Sequence, residues 1–230
     1  AGLARAVEIL AAADVTQSGQ LRWADEVLTA ERLRGEVDAE IARLGGTAGH
    51  TITAPGKQGS DPHACGNGEI LAGEPIVIDI FPRVNTTGYH GDLTRTVVKG
   101  AAPEIVTRAH AAVYEAQCRA KAAIRPGVPS PEVHQLAAQI LIEHGFETTL
   151  DGAQPCGFFH GLGHGLGLDV HEAPRLGMTV KDILEAGDVV TVEPGLYYPE
   201  WGGIRIEDVV AVTTAGYEDL TVAPVCLEID

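Results

Sequence analysis

Cysteine is scarce and scattered in this 230-residue chain: Cys65, Cys118, Cys156 and Cys226 lie far apart and form no Cys-x-x-Cys pair. That excludes a dense disulfide framework and a thiolate zinc site, and makes a reducing cytoplasm the expected setting. Basic residues are half as numerous as acidic ones, 16 against 32, which leaves a formal net charge of −16. A nucleic-acid phosphate backbone and an anionic membrane surface are therefore disfavoured as partners, and neutral, cationic or metallic ones remain. Aromatic residues make up only 5% of the chain, and no uninterrupted apolar run approaches the roughly 18 residues of a membrane span. No basic stretch followed by an apolar one opens the sequence, so no signal peptide is read. What is present is 45% apolar residues in a chain long enough for one large domain or two small ones.

Residues 3–14 and 29–44 carry apolar side chains at helical spacing, with Thr29 as N-cap and Gly45-Gly46 as terminator of the second helix. A short strand is expected at 51–55, then a Gly- and Pro-rich loop from Gly56 to Gly68. Segments 74–81 and 91–98 read as the two strands of a hairpin. Pro103 opens a third helix to about Ala123, and Ser130-Pro131-Glu132 starts a fourth, with Ser130 at the N-cap, ending at Gly145. After a Gly- and His-rich stretch at 157–171, segments 188–195 and 203–212 form a second strand pair. The order helix, helix, hairpin thus occurs twice. Without a strand–helix–strand alternation, it predicts an α+β fold with helices packed on antiparallel sheet. The glycine pattern GLGHGLG is not read as a dinucleotide loop, because no strand ends before it and no helix follows.

Asp79 lies in the otherwise apolar strand IVIDIF, where an unpaired carboxylate is costly to bury. Asp92 stands on the partner strand, and Glu193 and Glu207 take the same places on the second hairpin. A lone acid at a strand end is more often solvated or salt-bridged, and Arg95 and Arg205 could supply such pairs. The joint occurrence of two acids in each half argues otherwise. Four clustered carboxylates must either hold protons or bind cations, and two divalent ions would neutralise them. Oxygen-rich ligation with one imidazole suits manganese, with cobalt, iron or zinc as substitutes, and His164 is the natural nitrogen ligand. His63, His160 and His171 also lie in loop or strand contexts, whereas His50, His90, His110, His134 and His144 are assigned to surface or packing.

The segments IDIF, GDLTRT, HGLGHGLGLDVHE, VEPGLY and GIRIEDVV, in that order, resemble the five signature blocks of the pita-bread metallopeptidases. The resemblance implies a pita-bread fold with duplicated halves around a curved antiparallel sheet. It also implies a dinuclear centre ligated by Asp79, Asp92, His164, Glu193 and Glu207, with Asp92 and Glu207 bridging the two ions. His63 and His171 then line the cleft and contact the scissile carbonyl. His160, four residues before His164, and Arg205, two before Glu207, are similar to the pair found in the proline-specific branch, that of prolidase and aminopeptidase P. The implied activity is hydrolysis of Xaa-Pro bonds in small peptides by a hydroxide held between two metals, with Glu193 relaying the proton. A methionine aminopeptidase is the alternative within the family, and an inactive peptide-binding module the alternative outside catalysis. Proline-specific relatives usually carry a separate N-terminal domain. None precedes residue 1, so the expectation is a single catalytic domain over 1–230, with a homodimer as the assembly the family implies.

Overall fold

A computed structural model describes residues 1–151 and 154–230. Helix α1 spans Gly2–Ala12 and α2 spans Ala30–Arg43. Leu3, Ala6, Ile9 and Leu10 of α1 and Leu33, Val37 and Ile41 of α2 recur at helical spacing, and all are buried. Thr29 caps α2 by accepting the Arg32 amide hydrogen, as expected. Both helices lie against a four-stranded sheet in the order 228–229, 93–99, 75–80, 52–55. Within the strand Pro75–Ile80, Ile76, Ile78 and Ile80 pack into the same core as α1 and α2. The alternation of a strand therefore turns Val77 and Asp79 to the opposite face. Each buried aliphatic side chain in such a layer contributes roughly 1.5–3 kcal/mol, which fixes the face that Asp79 takes.

The second half follows the same logic. Helices α3 (Glu104–Ala123) and α4 (Ser130–Glu143) cover a five-stranded sheet in the order 172–176, 163–165, 189–192, 208–213, 216–219. Val190, Val192, Val210 and Val212 join the helix-facing core, so Thr191, Glu193 and Glu207 look away from the helices. In both halves a short strand joins the first strand of the hairpin: 52–55 in one sheet, 163–165 in the other.

Four features depart from the sequence reading. Residues 14–27 form a small three-stranded ribbon that the pattern did not announce, because its strands are only two or three residues long. The last strand, Glu228–Ile229, pairs parallel to 93–99 in an otherwise antiparallel sheet. Ser130 does not cap α4. Pro129 holds that position, and the Ser130 hydroxyl instead donates to the Arg175 carbonyl and accepts from the Gly177 amide, tying the helix to strand 172–176. The second hairpin is also split into two ladders, 189–192 with 208–213 and 195–198 with 202–205.

His110 on α3 and His134 on α4 are buried, and Nε2 of the first and Nδ1 of the second have no hydrogen-bond partner among the described residues. Burial lowers each ring from 6.5 to about 4, with repulsion from Arg95 adding to it at His110. Both are neutral in the fold, whereas the unfolded chain protonates them near the ordinary value. Their contribution to stability is therefore whole above pH 6.5 and is lost as the pH falls toward 4, by up to about 3 kcal/mol per ring. Urea unfolding at pH 7, 5.5 and 4.5 should show the native chain losing stability relative to the His110→Gln/His134→Gln variant over this window; parallel pH profiles would contradict the assignment.

Candidate metal centre

The register of the two hairpins places the four acids. In the first, Asp79 pairs with Thr94 and Ile80 with Leu93, so Asp92 lies diagonal to Asp79 on the same face. In the second, Val192 pairs with Asp208 and Gly195 with Arg205. Continuing that register sets Glu193 opposite Glu207, with Arg205 two positions along on the same face. Between the two ladders stands Pro194, which has no amide hydrogen to donate. The glutamate amides turn elsewhere: Glu193 donates to the Leu162 carbonyl at 2.8 Å, and Glu207 to the Thr94 carbonyl at 3.0 Å. The break thus binds the second hairpin both to the segment leading into His164 and to the first hairpin.

His164 sits in the strand Gly163–Gly165, squeezed between 172–176 and 189–192. A Cβ on Gly163 would overlap the Thr191 carbonyl, and one on Gly165 the Ala173 carbonyl. Only glycine lets the neighbouring backbones approach this closely around the histidine.

The ligating atoms of Asp92, His164 and Glu207 lie within 4.8 Å of one another, and all three residues are buried. His164 Nε2 is 3.3 Å from Glu193 Oε1 and 3.7 Å from Asp92 Oδ2. Thr94 Oγ1 donates to Glu207 Oε2 at 2.7 Å. Asp79 Oδ2 accepts from Arg205 Nη2 at 2.7 Å, while its Oδ1 is buried without a hydrogen-bond partner among the described residues. His164 Nδ1 is 3.1 Å from the Gly165 carbonyl, which can only accept. The proton is therefore on Nδ1, and the Nε2 lone pair faces two carboxylates. A second proton or a cation on Nε2 is what makes that approach tolerable.

Burial, then repulsion from Asp79 and Glu193, lifts Asp92 well above the ordinary carboxylate range. Burial, then Asp92 and Glu193, does the same to Glu207. Burial also raises Asp79 in spite of the guanidinium beside it. Glu193 goes the other way: burial pushes it up, but the close approach of His164 and the positive charge of Arg205 hold it below the ordinary range. Strained acids, one orphaned buried oxygen and an imidazole lone pair form a donor set that fits divalent metal, and its four carboxylates and one nitrogen match the preferences of manganese.

Around this cluster Arg205 is the organising cation, its Nε donating to Thr94 Oγ1 at 3.2 Å. It pairs with Asp79, and its Nη1 donates to the Tyr197 hydroxyl at 2.9 Å and to the Pro62 carbonyl at 3.4 Å. The last contact draws in the loop carrying His63, which is exposed. His171 is also exposed, its ring centroid 4.4 Å from that of His164. His160 Nδ1 lies 2.7 Å from the Gly161 carbonyl and its Nε2 2.9 Å from the Tyr197 hydroxyl. Arg95, the other basic candidate, pairs with Asp208 and with none of the four acids. Tyr197 and Thr94 were not singled out from the sequence. Counting by twos from Glu193 through Gly195 reaches Tyr197, and a Cβ on Gly195 would overlap that tyrosine's hydroxyl, so the inner-face period was the available signal.

Residues 2–214 match the family described as metallopeptidase family M24. The chain is 38% identical to an Xaa-Pro dipeptidase of Pyrococcus furiosus over 172 residues, which cover 74% of this chain and 47% of that protein. Among solved structures it is similar to the prolidase from Pyrococcus furiosus, with a TM-score of 0.82 and 31% identity, covering 97% of this chain and 60% of that one. It is also similar to an X-Pro aminopeptidase from Thermotoga maritima, with a TM-score of 0.83 and 28% identity, covering 100% and 59%. The chain spans about half the length of the curated relatives it matches.

A cation that relieves the repulsion stabilises the folded state, and protons compete for the same oxygens. Manganese should therefore raise the melting temperature of the metal-free protein at pH 7.5, and the increase should shrink as the pH is lowered to 5. Asp92→Asn removes one of the repelling charges. It should stabilise the metal-free protein by on the order of 1 kcal/mol and abolish most of the manganese-induced increase. Scanning fluorimetry reads both effects; a metal-induced shift that is the same at both pH values would refute the cluster as the binding site.

Proposed function

The chain belongs to metallopeptidase family M24, and from that premise we propose that it is the catalytic part of an exopeptidase hydrolysing Xaa-Pro bonds in small peptides. The fold is then the pita-bread fold, and the repeated order of helices and hairpin supports reading it as a duplicated unit. The observation that carries the proposal is the convergence of Asp92, His164 and Glu207 within 4.8 Å, with Asp79 and Glu193 beside them. Two divalent ions, manganese by preference, would be held by these five residues. The chemistry such ions supply when bound is Lewis acidity and a lowered pKa for water near neutral pH. All four cysteines are unpaired, which supports a reducing, cytoplasmic setting.

The protein's own groups take the remaining roles. Glu193, held in its ionised form and half-buried at the cleft, accepts the proton of the attacking water and returns it to the proline nitrogen. His171, exposed beside His164, donates to the carbonyl oxygen as negative charge develops on it, and His63 orients the peptide from the loop that Arg205 holds. His160 takes the place beside the proline that the resemblance implies, but without a polar contact to substrate. The Gly161 carbonyl takes its Nδ1 proton and the Tyr197 hydroxyl donates to its Nε2, so neither nitrogen is left for substrate. It meets the proline with the ring itself. Arg205 fixes Tyr197 and Asp79 and thereby the wall on that side.

The assay is hydrolysis of an Xaa-Pro dipeptide, an Xaa-Pro-Yaa peptide and a Met-Ala peptide, with manganese and after chelation. Turnover of the proline substrates that disappears on chelation is expected. Turnover of the methionine peptide alone would overturn the proline assignment, and no turnover with metal bound would leave a peptide-binding module. Replacing His171 with Ala should lower kcat by about 100-fold or more while metal content is retained; loss of metal instead would move His171 into the ligand set.

A further inference from the structure

We propose that Arg95 is a positioning residue for Glu207, fixing the backbone that presents its carboxylate to the metal centre. The proposal rests on the metal reading above. Arg95 lies on the first hairpin between two threonines that face the acids, so its own side chain takes the opposite face, where it is 2% exposed. Each of its five N–H groups is used. Nη1 donates to the carbonyls of Thr94 at 2.9 Å and Glu207 at 2.7 Å. Nη2 donates to Asp208 Oδ1 at 2.7 Å and to the Ala223 carbonyl at 3.0 Å, and Nε to the Pro224 carbonyl at 3.1 Å.

The Glu207 residue is thereby gripped at three points. Its amide donates to the Thr94 carbonyl, its carbonyl accepts from Arg95, and its carboxylate accepts from Thr94 Oγ1. Arg95 closes this ring by holding the Thr94 carbonyl as well. Asp208, which aims the guanidinium, is anchored in turn by Lys121 Nζ at 2.6 Å. A buried ion pair is a weak device for stability alone, since well-packed apolar residues often replace it without loss. What the rigid fork adds is reach: one planar group spans the carbonyls of both hairpins at the point where a ligand must be held. A lysine ammonium, one nitrogen with three hydrogens, cannot hold both carbonyls and also keep the Asp208, Ala223 and Pro224 contacts that aim the group. Groups that orient metal ligands from behind commonly control affinity.

The test titrates manganese alone into metal-free protein by calorimetry. Arg95→Lys should keep the native circular dichroism and weaken the binding of one ion by about 10- to 100-fold. Ile76→Val, which loosens the apolar packing on Arg95's own face of the same hairpin, should lower the melting temperature and leave the isotherm unchanged. A wild-type isotherm for Arg95→Lys would overturn the proposal, as would an equal loss of affinity in Ile76→Val, which would mark a general effect of stability. Where Arg95→Lys does not fold, the isosteric Asp208→Asn carries the test in the same direction, and unchanged binding overturns the proposal. Failure of the wild-type protein to take up manganese would instead refute the metal reading beneath it.

Discussion

Asp79, Asp92, Glu193 and Glu207 repel one another across a largely buried space, and the fold holds them there. Two unit charges about 4 Å apart at an effective dielectric near 20 cost roughly 4 kcal/mol, a sizeable share of the stability of a whole domain. One guanidinium, that of Arg205, answers one of the four acids directly. The others are left to imidazole, hydroxyl and each other, which is why burial and mutual repulsion drive Asp92 and Glu207 so far up. Such an arrangement persists because the apolar layers behind each sheet over-determine it. The helix-facing isoleucines of 75–80 and valines of 189–192 cannot rotate the acids outward without exposing themselves.

The same constraint explains where the two halves are joined. They meet through hydrogen bonds that converge on the acids: Glu207 amide to Thr94 carbonyl, Arg205 amide to Thr96 Oγ1, and Arg205 side chain to Asp79. Two arginines cross the seam in opposite senses. Arg205 of the second hairpin pairs with Asp79 of the first, on the face of the acids; Arg95 of the first pairs with Asp208 of the second, on the other face. The seam is held from both sides, and the acids stand beside it.

Period-two alternation made most of this legible from the residues. An aspartate in IVIDIF must face away from the isoleucines, and a glutamate placed alike in the second hairpin follows the same rule, so all four acids could be nominated before any fold was known, with His164 joining them as the nitrogen ligand such a cluster calls for. What escaped was whatever depends on interruption. The split of the second hairpin at Pro194 could not be seen in a run that reads as continuous strand, although proline's missing donor is its cause. Ser130 before Pro131 satisfies the rule for a helix start, yet its hydroxyl serves a strand 45 residues away. The ribbon at 14–27 is too short for any periodicity to register.

Tyr197 shows how far a single hydrogen-bond direction reaches. Its hydroxyl accepts from Arg205, which has no lone pair to offer, and so must spend its own proton on His160 Nε2. Burial raises that phenol to about 12, which keeps the proton in place at any pH the protein would meet. The ring of His160 is then fixed as the Nδ1–H tautomer against the Gly161 carbonyl, and burial holds it neutral. In the proposed reaction the bond to be cut precedes proline and carries no N–H of its own. A wall that presents a saturated imidazole and a tyrosine ring, with no free donor or acceptor, leaves nothing unpaired when such a residue lies against it. An ordinary peptide bond would bring an N–H to the same wall and find no acceptor there, at a cost of about 1–3 kcal/mol. Preference for proline would then arise from what the wall withholds, and the guanidinium that fixes the tyrosine becomes the origin of that preference.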